Sequence, residues 1–333
     1  MKILIIRFMG LGDIASILLP AVRLVRQQAP DAEIDVLTYG AGVELMQLVE
    51  DLHAVLGVEP EQWPGDLVPA MQSFSRIADL VAAQGYERII NLDTWFMPCF
   101  LARLLLDAGL PLEGNYINHP VAHFISLLQA GQLSQSYFEG TAFLASSYPA
   151  MAQWCAPWWT QGEMRSYPEF YLNHCCGLAG ELDFSLPVAA DEAFLAAAAG
   201  RKIVALSTSG SAANKHYPFA AELQQQLQAA GFVVWSQFDG SLSMAECIGR
   251  LKVTDLLVTV ATSTQWLARI AGCPSLMIPG SLPPSLLGAE LTVPQLTDCQ
   301  YCASTRCAQR IPFACMEVPV VQVMALVKQQ LGQ

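Results

Sequence analysis

Six residues at the start of the chain restrict its fold more than any other feature. Lys2 to Arg7 reads KILIIR, an apolar run too short for a helix and without the alternation of a half-exposed strand, so it is a strand buried on both faces. It runs directly into Gly10-Leu11-Gly12-Asp13, and an apolar-periodic stretch follows from Ile14 to Gln27. A buried strand, a tight glycine loop and a helix open a doubly wound α/β unit.

The alternation continues. Strands are expected at Glu33 to Thr38 and Arg88 to Leu92, and helices at Ala41 to Asp51, Met71 to Gln84 and Pro98 to Ala108. From Asn115 to Asp183 the pattern loosens into a stretch rich in Trp, Tyr and Pro, including Trp154, Trp158, Trp159, Tyr167 and Tyr171. It then restarts, with strands at Lys202 to Ser207, Phe232 to Trp235, Leu256 to Val260 and Ser275 to Pro279. Helices are expected at Pro218 to Ala230, Ser243 to Leu251, Thr264 to Ala271 and Val318 to Leu331. At 333 residues with a hydrophobic fraction of 53%, two domains of ordinary size are expected, over 1–180 and 190–333, with the junction between Leu172 and Ala190.

Charge excludes some partners. A net charge of −12, with only 17 Lys and Arg, leaves too few cations to hold a nucleic-acid backbone, so no nucleic-acid partner is expected. No apolar run reaches the roughly 18 residues of a spanning helix, because Arg7, Asp13, Arg103 and Asp107 interrupt the best candidates. No transmembrane segment is expected. An Arg and an Asp inside the first apolar run also argue against a secretory signal, and the expected location is cytoplasmic.

Several loops carry candidate chemistry. Gly12 and Asp13 fall where the first strand meets its helix; a carboxylate there either takes a proton from a hydroxyl or caps the helix. The third glycine of a dinucleotide fingerprint is missing. In the second half, Ser207-Thr208-Ser209-Gly210-Ser211 leads to Asn214-Lys215-His216-Tyr217-Pro218. Small hydroxyl residues, a cation and a proline at a helix start read as a phosphate-binding loop, or as a solvated loop with an exposed lysine. Thr262, Ser263 and Thr264 open another helix, where they serve either an anion or simple capping. Near the end, Cys299, Cys302, Cys307 and Cys315 place four of the ten cysteines within seventeen residues. Four thiolates suit a structural zinc or iron; free thiols or disulfides are the other readings. His119 and His123, with Pro120 between them, read as packing residues.

These segments, in this order, resemble glycosyltransferase family 9, which includes the ADP-heptose heptosyltransferases of lipopolysaccharide core assembly. KILIIRFMGLGDIASILLPAVRLVRQQAPDAEIDVLT resembles the family's opening, SGSAANKHYP its phosphate loop, and SMAECIGRLKVTDLLVT, TSTQWLARIAGCPSLMIPG and the terminal cysteine-bearing stretch further family segments. The resemblance implies a GT-B fold, two Rossmann-like doubly wound domains facing across a cleft. It implies inverting transfer of a sugar, a heptose by family expectation, with Asp13 as base and Lys215 opposite it on the diphosphate. Gly12, Thr208, Ser209, Gly210, Ser211, Thr262, Ser263 and Thr264 would line the donor site, and Glu246 would meet the nucleotide ribose or be a solvated helix carboxylate.

No cofactor is required beyond the nucleotide-sugar donor, ADP-heptose by the same resemblance. The acceptor would be a glycolipid or a protein hydroxyl, at the cytoplasmic face of the inner membrane or in free solution. Two departures stand out. Ala261-Thr262-Ser263-Thr264-Gln265-Trp266 occupies the place of the family's Asp-Ser/Thr-Gly-Pro-x-His run, and the region from Phe232 to Ser243 is short. They leave open a homologue that has lost catalysis and serves as a binding or assembly protein; an epimerase acting on a nucleotide sugar without acceptor is a further alternative.

Overall fold

The computed structural model describes residues 1–154, 166–304 and 306–332; Trp158 and Trp159 of the aromatic stretch lie outside the described residues. By its internal contacts the chain divides into two units; of the described residues the first takes 1–154 and Pro168–Asp183, the second Ser166, Tyr167 and those from Phe184 onward. Each is a mostly parallel α/β sheet flanked by helices.

The first unit holds six strands: β1 (Lys2–Ile6), β2 (Glu33–Tyr39), β3 (Ala54–Val58), β4 (Arg88–Asn91), β5 (Leu112–Ile117) and β6 (Leu144–Ser146). Their order is β3-β2-β1-β4-β5-β6, parallel throughout except for β6 against β5. Ile3 to Ile6 are wholly buried, as an apolar run covered on both faces requires. On one face Leu4 and Ile6 pack with Phe74 of the helix Leu67–Ala82 and Phe100 of the helix Phe96–Asp107.

The segment expected as one helix from Ile14 to Gln27 is two pieces preceded by a short turn. An α-turn at Leu11–Asp13 leads into a π-helical stretch at Ile14–Leu18, and α-helix resumes at Leu19–Gln28. A second π stretch covers Phe170–Cys175. The strands β3 and β5 were not expected. The first, AVLGV, is a partly exposed edge strand with a glycine inside it, and the second, LEGNYI, carries Glu, Gly and Asn where an apolar run would be read.

The second unit has β7 (Ile203–Ser207), β8 (Val233–Trp235), β9 (Leu256–Val260), β10 (Ser275–Ile278) and a two-residue β11 (Leu291–Thr292), ordered β11-β10-β9-β7-β8 and all parallel. Strand β9 coincides with its expected span. The helices Ala220–Ala229, Met244–Lys252, Ser263–Ala271 and Val320–Leu331 differ from expectation by one or two residues at their ends. The C-terminal helix closes a core of Val204, Leu223, Val258 and Leu276 with Val323 and Val327.

In both sheets the chain leaves two neighbouring strands in opposite directions, at β1/β4 in the first and at β7/β9 in the second. Ligands of doubly wound sheets bind at such switch points, beyond the carboxyl ends of the strands.

Beside the first switch point, Gly114 in β5 adopts φ +96°, and a Cβ there would lie 2.1 Å from the Asn91 carbonyl oxygen. Only glycine permits this approach. Gly114→Ala is expected to lower stability by about 2–4 kcal/mol, combining backbone strain with the displaced contact, as read by urea unfolding.

Candidate functional site

At the first switch point the loop after β1 is tied to the loop after β4 by a single carboxylate. Asp93 is wholly buried. Its Oδ2 accepts the backbone N–H groups of Phe8 at 2.6 Å and Met9 at 3.1 Å, and its Oδ1 accepts that of Trp95 at 2.9 Å. A carboxylate out of water requires such donors, and three amides on two loops supply them.

Arg7 lies beneath this loop with 0% exposure. Its guanidinium donates to the Leu92 carbonyl and, at 2.8 Å, to Asp13 Oδ1, and it stands over the Tyr171 ring, 5.2 Å from the centroid. Tyr171 in turn donates its hydroxyl to Leu92 O at 2.6 Å and accepts from Asn115 Nδ2 at 3.0 Å. Asn115 also donates to the Asp93 carbonyl at 2.9 Å, and Asn91 Nδ2 donates to Asn115 O at 2.6 Å. The result is a buried polar network spanning β1, β4, β5 and the second π stretch.

Asp13 is the network's outlet to solvent, with a side-chain exposure of 24%. It does not cap the helix. The N-cap position belongs to Gly10, whose carbonyl accepts the N–H of Asp13 at 2.8 Å, and the Asp13 carboxylate makes no capping bond to the helix that follows. Gly12 sits within the same short turn.

The second switch point is organised by hydroxyls. Ser207 at the end of β7 donates to Thr264 Oγ1 at 2.9 Å, and Thr259 in β9 donates to the Ser207 carbonyl at 3.2 Å. The loop of Thr208, Ser209, Gly210 and Ser211 and the start of the helix Ser263–Ala271 therefore lie at one end of one sheet. That loop folds back on itself. Gly210 N donates to Lys215 O at 2.8 Å, Ser209 bridges His216, and Tyr217 N donates to Thr208 O at 2.9 Å. A Cβ on Gly210 would meet the Lys215 Cβ at 2.8 Å, so the glycine allows the lysine stem to cross the loop. Lys215 is partly exposed and, among the described residues, makes no ion pair.

Thr262 is the N-cap residue of the helix Ser263–Ala271, yet its side chain makes no capping bond; Ser263 begins the helix and Thr264 is committed to Ser207. Gln265 in the same turn is buried, and among the described residues neither carboxamide atom has a hydrogen-bond partner. Glu246 opens the helix Met244–Lys252 in a capping box with Ser243, whose hydroxyl and N–H both donate to Oε2, at 2.7 and 2.9 Å. The Ser243 hydroxyl bond holds this carboxyl below its usual range.

The cysteine segment is bent sharply. Tyr301, Ala303 and Phe313 hold positive φ of 71°, 55° and 59°. Cys307 Sγ accepts the N–H of Phe313 at 3.3 Å, and Cys315 is pushed up first by burial and then by the neighbouring thiols of Cys299, Cys307 and Cys302. Cys299, Cys302 and Cys307 thus lie within electrostatic reach of Cys315. Among the described residues, however, no three Cys, His, Asp or Glu side chains converge as a metal-binding set. His119 stacks on Tyr137 and meets His123 edge to face, which is the packing role expected of the pair.

Arg7, Asp93, Asn115 and Tyr171 did not emerge as site residues from the sequence. Arg7 carried a signal, a charge closing a strand otherwise buried on both faces. Asp93 and Tyr171 carried none beyond their positions, because their partners lie as far as 85 and 79 residues away.

No family model and no curated protein matches the sequence. Solved structures do match, over the whole chain. A family 9 glycosyl transferase from Veillonella parvula is 13% identical with a TM-score of 0.67, covering 99% of this chain and 97% of that one. The ADP-heptose lipopolysaccharide heptosyltransferase II of E. coli is 13% identical with a TM-score of 0.64, covering 100% and 99%. The dodecameric iron-containing heptosyltransferase TibC of enterotoxigenic E. coli, solved with ADP-D-β-D-heptose, is 10% identical with a TM-score of 0.60, covering 99% and 76%. From end to end, this chain has the two-unit GT-B fold of the family 9 glycosyltransferases.

Proposed function

We propose that the chain is an inverting glycosyltransferase that moves a sugar, a heptose, from a nucleoside diphosphate donor to a hydroxyl acceptor. The acceptor hydroxyl gives its proton to Asp13 as its oxygen bonds to the anomeric carbon. The bond from that carbon to the diphosphate breaks, and the electron pair leaves on the diphosphate oxygen. Asp13 is then restored by losing the proton to water.

The observation that carries this reading is the pair of switch points. The first offers a carboxylate held by a buried arginine and partly open to solvent. The second offers a cation without an acidic partner among the described residues, over a loop of small hydroxyl residues and beside a helix N-terminus. Such a set suits a proton acceptor and a receptor for a diphosphate. Gln265 adds support, since a buried carboxamide without partners costs about 1–3 kcal/mol unless a bound group or water meets it.

Glu246 is proposed as a ribose contact only insofar as its capping box leaves Oε1 to serve. ADP-heptose is the proposed donor because the fold is shared with heptosyltransferases, one of them solved with that sugar nucleotide. A lipopolysaccharide precursor or a related glycoconjugate is the proposed acceptor, and the cytoplasmic face of the inner membrane the proposed setting. Among the described residues, no helix is long and apolar enough to cross a membrane.

A structural zinc or iron on Cys299, Cys302, Cys307 and Cys315 is a separate proposal. The electrostatic reach of the other three thiols on Cys315 and the N–H bond to Cys307 support it, while among the described residues the side chains do not close a coordination set. No step of the transfer passes through it.

Titration with ADP and ADP-heptose, followed by ADP release in the presence of lipopolysaccharide core acceptors, tests the function. Asp13→Asn is expected to leave donor binding intact and to lower turnover about 10²- to 10⁴-fold; a loss of only a fewfold removes Asp13 as base. Lys215→Ala is expected to weaken ADP binding at least tenfold, and unchanged binding would remove it from the diphosphate site. For the cysteines, Cys302 is exposed and Cys299 and Cys307 partly so. Alkylation read by mass spectrometry is expected to modify these three without metal and to spare them together once zinc or ferrous iron is added. Continued modification of Cys302 at the same rate with both metals rules out the site.

A further inference from the structure

We infer that Arg7 is a positioning residue for Asp13: the buried guanidinium fixes the carboxylate that takes the acceptor proton, and without it the base is present but misplaced. The inference rests on the transfer reading above.

The arrangement goes beyond what folding requires. A wholly buried arginine needs partners, and the Leu92 carbonyl and the Tyr171 ring already hold it from beneath. Those two contacts belong to β4's exit loop and to the second π stretch, both well packed. The third, at 2.8 Å to Asp13 Oδ1, runs outward to a carboxylate that is partly open to solvent. The carboxylate has no capping bond to hold it. The bond from Arg7 reaches it from below, from a group that is itself wholly buried. The loop's backbone is set separately, by the Phe8 and Met9 bonds to Asp93. The start of the loop and the side chain of the candidate base are thus met by two different buried charges.

Catalytic groups gain most from being held in the productive geometry beforehand, and a displacement of about 1 Å costs on the order of 10²-fold in rate. A shorter cation at residue 7 keeps the charge but not the forked reach to both Leu92 and Asp13. Arg7→Lys is thus expected to lower turnover of ADP-heptose about tenfold or more while leaving the KM for the donor within about twofold. A general loss of folding would lower both and would show as reduced active-site titre.

The decisive measurement is a double-mutant cycle on turnover, with donor binding and thermal unfolding followed alongside. If Arg7 acts through the base, Arg7→Lys costs little or nothing further in the Asp13→Asn background. Equal factors in both backgrounds would overturn the inference while leaving Asp13 as base. Turnover unaffected by Asp13→Asn would instead sink the transfer reading, and this inference with it. Should Arg7→Lys fail to fold, Tyr171→Leu removes the ring beneath the guanidinium and leaves the ion pair in place. The same cycle then applies, a fewfold loss that disappears in the Asp13→Asn background supporting the role and an equal loss in both refuting it.

Discussion

A guanidinium taken wholly out of water cannot stand alone, and the first unit is arranged around that fact. The penalty for burying such a charge is several kcal/mol before pairing. Arg7 meets it with a carbonyl, an aromatic face and a carboxylate drawn from three separate parts of the chain. Removing one partner of a buried ion pair typically costs about 3–5 kcal/mol, whereas an apolar replacement of the whole set is often neutral. An arrangement of this kind adds little to stability in itself, but it holds the Asp13 carboxylate to one buried partner.

The neighbouring charge makes the point from the other side. Among the described residues Asp93 has no cation bonded to it; its oxygens are met by backbone amides at the ends of β1 and β4. Those two strands are adjacent but send their connections to opposite sides of the sheet, so their exit loops would otherwise diverge. One carboxylate closes the gap. The two π stretches lie beside it, the first directly after Asp13 and the second carrying Tyr171.

Much of this was legible in the chain and some was not, for definite reasons. The strand β1 and the loop after it were readable because a strand covered on both faces has to be an unbroken apolar run, and Ile3 to Ile6 are one. Strand β9 was readable for the same reason. Strand β5 was not, because Asn115 is buried by bonds to Asp93 and Tyr171, partners that no local pattern records. Asp35 in β2 is a similar case, buried against Tyr86 and His53, although the rest of that strand was apolar enough to be recognised. The π stretches have no signature distinguishable from an amphipathic helix. At the candidate site the sequence supplied Asp13 and Lys215 by position, but not the groups that hold them.

The second unit shows how a site's framework outlasts particular side chains. Where the resemblance leads one to expect an acid, a glycine and a histidine, this chain has Ala261, Ser263 and Trp266. Trp266 is buried and stacks on Phe184, while Arg269 lies over the same Phe184 ring, so this turn has become part of the packed body of the unit. The frame is nonetheless intact. Ser207 and Thr264 still join the exits of β7 and β9, and the amides at the start of the helix Ser263–Ala271 still face the carboxyl end of the sheet. Backbone amides and a lysine do not depend on the lost side chains to bind an anion. On the proposed reading, the diphosphate is the part of a nucleotide sugar that such a frame would hold, and selectivity for the sugar would come from elsewhere in the chain.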